Sequence, residues 1–83
     1  MAATVIAFPG RRAVTDAERV EAAQAKCDAA LAFDGDPNPE NRERLIAAQR
    51  RLAEVRHAGV PGLVERDMVA FLRIMTLNEQ EPA

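Results

Sequence analysis

This sequence predicts an all-α protein, a small three-helix bundle in which an antiparallel helical hairpin is joined by a strongly apolar third helix. Three observations predict it. Helix-capping signals stand at Thr15 and Asn38, apolar residues recur at helical rather than alternating spacing, and Pro/Gly clusters divide the chain into three such segments. The 83 residues make one domain at most, and a chain of this size buries only about 60% of the surface that its unfolded state exposes. Hydrophobic residues are 48% of the chain, but 17 of them are alanines and there is no Trp or Tyr, so the bulky apolar set that builds a core is small.

The first helix opens at Thr15-Asp16-Ala17-Glu18, where the spacing is that of a capping box: the Thr hydroxyl accepts from the Glu backbone and the Glu side chain returns to the Thr amide. It is expected to run to Phe33, with Gly35 as a left-handed stop and Asp36-Pro37 closing it. Val20, Ala23, Cys27, Ala30 and Leu31 are its expected inner stripe. The second helix restarts at Asn38-Pro39-Glu40, with Asn as cap, Pro in the first helical position and a carboxylate at the positive end of the dipole. Leu45, Ala48, Leu52 and Val55 repeat at heptad spacing until His57-Ala58-Gly59, where Gly59 can take positive φ. A short Pro/Gly loop joins these two helices as an antiparallel hairpin.

Val60-Pro61-Gly62 then reads as a tight connector, followed by a third helix from Leu63 to Leu77 that carries most of the bulky apolar residues. At 100° per residue, Leu63, Val64, Met68, Phe71, Leu72, Ile74, Met75 and Leu77 cover an arc of roughly 200°, about twice what a surface helix needs. The organisation expected is thus an N-terminal arm over 1–14, containing the apolar run Val5-Ile6-Ala7-Phe8, a helical domain over 15–77 and a frayed tail over 78–83.

Composition narrows the function. A net charge of −2 lacks the basic excess of a phosphate-neutralising surface, which disfavours nucleic acid as partner. One Cys cannot build a disulfide framework or a Cys-based zinc site, and Cys27 within an apolar helical pattern is expected to be a buried structural thiol. No basic region precedes the short apolar run near the N-terminus, and no stretch approaches the roughly 20 apolar residues that span a bilayer, so the expected location is the cytoplasm of a bacterium-like cell. His57, the only imidazole, sits in the last turn of the second helix beside Arg56, where a cation complements the dipole; no orienting carboxylate is evident in the local sequence. Asp34-Gly35-Asp36-Pro37-Asn38 lacks the alternating ligands of a calcium loop and reads as a turn. No metal site, cofactor site or catalytic set is expected.

What remains is an interaction protein. Excess apolar area on one helix marks an interface, and the expected partner-binding residues are Leu63, Met68, Leu72 and Met75 on the third helix, with Arg50 and Arg51 on the locally basic second helix, where arginines match acidic partners in bidentate fashion. The expected function is a non-enzymatic adaptor or inhibitor, antiactivator-like, that binds another protein and occludes a transcription factor or enzyme. A homodimeric helical module is one alternative. The other is a nucleic-acid regulator of helix-turn-helix type, although a recognition helix needs polar and basic side chains toward the bases and the third helix offers Glu65 and Asp67 at its N-terminal end and hydrophobes over half its girth.

Overall fold

The capping signals of the sequence become helix ends in the computed structural model, which describes residues 13–80. Helix α1 spans Asp16–Gly35, α2 spans Pro39–Arg56 and α3 spans Pro61–Gln80, and no strand occurs among the described residues. The apolar run Val5-Ile6-Ala7-Phe8, with most of the expected arm, lies outside the described residues, as does the end of the expected tail. At the start of α1 the Thr15 hydroxyl accepts from the Glu18 amide at 3.1 Å and the Glu18 carboxylate accepts from the Thr15 amide at 3.1 Å, both halves of the capping box. Asn38 caps α2 by accepting from the Asn41 amide at 2.7 Å, with Pro39 in the first turn.

Both ends of α3, and the end of α1, lie beyond their expected positions. Gly35 stays helical instead of turning left-handed, because the Asn41 amide side chain reaches back from α2 and donates to the carbonyls of Ala32 and Asp36. Helix α3 begins at Pro61 rather than Leu63, since a proline needs no intrahelical donor in the first turn and the Val60 carbonyl accepts from Leu63 and Val64. At its other end, Glu79 receives Arg42 of α2 in a two-pronged ion pair, 2.7 and 3.2 Å, which extends order past Leu77.

Helix α2 is the central element, and it packs on both sides. Its heptad residues Leu45 and Ala48 meet Ala29 of α1, with Phe33 of α1 against the same cluster. A second flank that the heptad reading missed, Ile46, Gln49 and Ala53, lies toward α3, where Ala53 packs with Val64 and Met68. No Cα atom of α1 comes within 8 Å of one in α3. These two helices meet through side chains: Met75 joins Ala29 and Leu45, and the Lys26 ammonium stands 5.5 Å from the centre of the Phe71 ring.

The inner face of α1 differs from expectation. Ala22 and Ala29 are the residues it buries, whereas Val20 is 64% exposed, Leu31 71% exposed and Cys27 exposed. Alanines at the contact let two helices approach toward the short end of the ~8–10 Å range, and the close backbone approach keeps the larger residues off that face. The expected stripe Val20, Ala23, Cys27, Ala30, Leu31 is therefore a second, outward stripe, only Ala30 of which is partly covered.

The α2–α3 connection holds two consecutive left-handed residues, Ala58 at φ 51° and Gly59 at φ 76°, and the Gly59 amide donates to the Glu54 carbonyl at 2.8 Å. A glycine meets that conformation without strain, while an alanine there costs about 1–2 kcal/mol. Ala58→Gly removes that strain at the cost of chain entropy and should stabilise the protein by about 0.5 kcal/mol. Denaturant melts of the two proteins check this, and a variant less stable than the parent would refute it.

Candidate functional site

Two arrangements could carry function, a polar knot between α2 and α3 and an apolar face formed by α1 and α3. The knot centres on Asp67. Its Oδ1 accepts from the Gln49 amide at 3.1 Å, and its Oδ2 accepts from the Arg56 guanidinium at 3.1 Å and lies 3.0 Å from His57 Nε2. Burial is the largest single influence on this carboxyl and works toward a higher pKa. Hydrogen bonds from His57 and Gln49 and the charge of Arg56 outweigh it together, and hold Asp67 below its ordinary value. The Asp67 side chain is only 14% exposed, so it is a carboxylate kept charged by its partners.

A His–Asp pair invites comparison with a catalytic dyad, whose histidine needs a nucleophile or a substrate proton within reach. The chain contains no serine, its one cysteine lies on the outward side of α1, and the same Asp67 is shared with an arginine and a glutamine from α2. This geometry serves as a clamp between the end of α2 and the start of α3. Sequence reading missed the orienting carboxylate because it stands ten residues downstream, across a turn whose path only the fold defines. Among the described residues no group of three metal-ligating side chains converges, and no helix is long and apolar enough to cross a membrane.

The arginine face of α2 turns out to be occupied within the chain. Arg50 pairs with Glu65 at 2.9 Å, Arg42 with Glu79 and Arg56 with Asp67, so three of its five arginines bind acids of α3. The Arg42 hydrogen bond lowers the pKa of Glu79. Arg51 is partly buried. Of the apolar residues expected to bind a partner, Met68 and Met75 are core, 1% and 7% exposed, and Leu72 is partly covered on the opposite flank of α3 from Leu63. The six expected residues do not make one surface.

A different apolar face does. Leu63, Ala70, Ile74 and Leu77 lie within about 60° of one another on α3, and Val20, Cys27 and Leu31 within about 40° on α1. The large residues among them are all exposed. Between the two helices runs a groove of about 510 Å³, lined by Lys26, Ala30 and Phe33 from α1 and by Phe71, Ile74 and Met75 from α3. Leu45 of α2 and the polar residues Asp34, Asn78 and Glu79 also line it; of the outward stripes it reaches Ile74, while Leu77 stands with Val69 and Leu72 around a second hollow on α3. Comparison with protein-family models, with curated proteins and with solved structures finds no match to this chain.

The Asp67 knot predicts a pH dependence. A carboxyl whose folded pKa is lowered adds stability above its unfolded pKa of about 4 and loses it as pH falls through the folded value, so the knot should weaken in acid below that point. Asp67→Ala should cost about 2 kcal/mol at neutral pH, the penalty for removing a hydrogen-bonded charge and leaving the buried Gln49 amide without its acceptor. Its melting temperature should also fall less steeply than the parent's in acid. Parallel acid slopes for the two proteins would show that Asp67 does not carry the effect.

Proposed function

We propose that this protein is a non-enzymatic interaction module that docks through the apolar face of α1 and α3 and regulates by covering a surface of its target. The observation that carries this reading is the exposure of Val20, Leu31, Leu63, Ile74 and Leu77 on two helices flanking one groove. Five large side chains so exposed leave on the order of 500 Å² of mostly apolar surface, at the upper end of what monomeric proteins present to water. Three helices around a groove also resemble a four-helix bundle lacking one member, and an amphipathic helix laid into the groove would complete it.

Support for a regulatory rather than a catalytic role comes from where the polar groups go. His57, Asp67, Glu65 and Glu79 are engaged with α2 or at its end, and the outward stripes are apolar, with Lys26, Asp34 and Glu79 among the residues that line the groove between the helices. A protein with that surface acts by occlusion, as an antiactivator-like inhibitor or adaptor does, and its targets are a transcription factor or an enzyme with an exposed apolar patch. The arginines left on α2 lie away from the groove and take no part.

The test is a map of contacts in the native cell. A photo-reactive residue placed at Leu31 or Leu77 should give protein adducts, while the same residue at Glu43 or Glu54, both exposed on the far side of α2, should give none. Adducts confined to the α2 positions would overturn the docking face.

A further inference from the structure

We infer that in the free protein the groove between α1 and α3 is covered by the chain's own segment Val5-Ile6-Ala7-Phe8, which a target displaces; the displacement rests on the docking face proposed above. The segment lies outside the described residues, and three features of the described ones point to it as the occupant.

The first is the direction in which the chain enters α1. An apolar residue just before a capping box commonly packs over the fourth residue of the helix. Here those two are Val14, which is partly buried, and Arg19. Arg19 stands within about 20° of Lys26 and Ala30 around α1, so the chain ahead of Thr15 starts on the side that the groove occupies. Between Arg19 and Lys26 that side carries Ala23, small and exposed, and no Cα of α3 comes within 8 Å of α1, which leaves a path along the helix.

The second is reach. Along α1, Ala30 stands about 22 Å from Thr15 and Phe33 about 27 Å, at 1.5 Å per residue. An extended chain covers about 3.2 Å per residue, so a segment doubled back along α1 brings Phe8 about 22 Å from Thr15 and Ile6 about 29 Å. The turn at the cap shortens this slightly. Phe8 then falls between Lys26 and Ala30 and Ile6 between Ala30 and Phe33, the stretch of α1 that lines the groove. The hollow at Val69 and Leu72 opens on the opposite side of α3, off that path.

The third is chemistry. Ile6 and Phe8 are two residues apart, so an extended run turns both to one side, and Pro9 favours extended backbone at Phe8. A groove of about 510 Å³, walled by the partly buried rings of Phe33 and Phe71, takes two such side chains. An extended run also brings amides and carbonyls that need partners. The side chains of Asp34 and Asn78 hold no hydrogen bond among the described residues, and with Lys26 they offer acceptors and donors along the groove. A six-residue tether, 9–14, keeps the run at an effective concentration of about millimolar, so contacts too weak to hold a free peptide suffice within one chain.

Nuclear magnetic resonance of the full chain tests this. Ring protons of Phe8 should show Overhauser contacts to the methyl groups of Ala30 and Ile74, unchanged on dilution and absent between differently labelled copies. With Ile6→Asp and Phe8→Asp together, those methyl signals should shift while Val69 stays in place and helicity is kept. The yield of target adducts from a photo-reactive residue at Leu31 should then rise at least fivefold. No contact from Phe8 to the groove, or contacts only between copies, overturns the inference, and adducts persisting at 31 would leave the docking face standing without it. Contacts within one chain and an adduct yield that does not rise overturn displacement. The same contacts with no adduct at 31 or 77 in either protein keep the segment in the groove and remove the docking face, and displacement with it.

Discussion

Charge holds α3 to the rest of the molecule. Its apolar contact with α2 runs from Val64 and Met68 on Ala53 to Met75 on Leu45, and along the same length acids of α3 reach groups of α2 and its end: Glu65 to Arg50, Asp67 to Gln49, Arg56 and His57, and Glu79 to Arg42. Surface ion pairs of this kind are individually worth little, at most about 1 kcal/mol. The central pair is different, because Asp67 is largely withdrawn from water and donors from three residues meet it. These links fix the roll of α3 about its own axis. That roll decides which of its many apolar residues enter the core and which look outward, and so the docking face follows from the polar stitching.

The same stitching explains what could and could not be read from the sequence. Caps at Thr15 and Asn38 were legible because each is a bond between residues three apart, set by local chemistry alone. The left-handed Gly59 was legible for the same reason. The destination of the α2 arginines was not, since their acids lie 11 to 37 residues away and a basic helical face reads as free until its partner helix is in place.

The reversed face of α1 has another cause. That helix carries two candidate inner stripes, one of Ala22, Ala29 and Phe33 and one of Val20, Ala23, Cys27, Ala30 and Leu31. Hydrophobicity favours the second, and close approach favours the first. Asn41 of α2 bonds the last carbonyls of α1 and the short loop between them leaves little freedom, so the hairpin is drawn tight and the alanines win. The bulkier stripe is left outside, and the apolar excess that the sequence located on α3 alone is shared by both outer helices.

The alanine seam between α1 and α2 separates two kinds of mutational history along one helix. Ala29 is 2% exposed against a neighbouring helix, and a larger side chain there must push the hairpin apart, so folding itself polices the position. Leu31, two residues later, touches nothing that folding requires. Drift at Leu31 is checked only by whatever the protein binds, and in a set of diverged sequences the persistence of a large apolar residue there, beside an alanine that cannot change, would record the partner's presence more directly than any feature of the core.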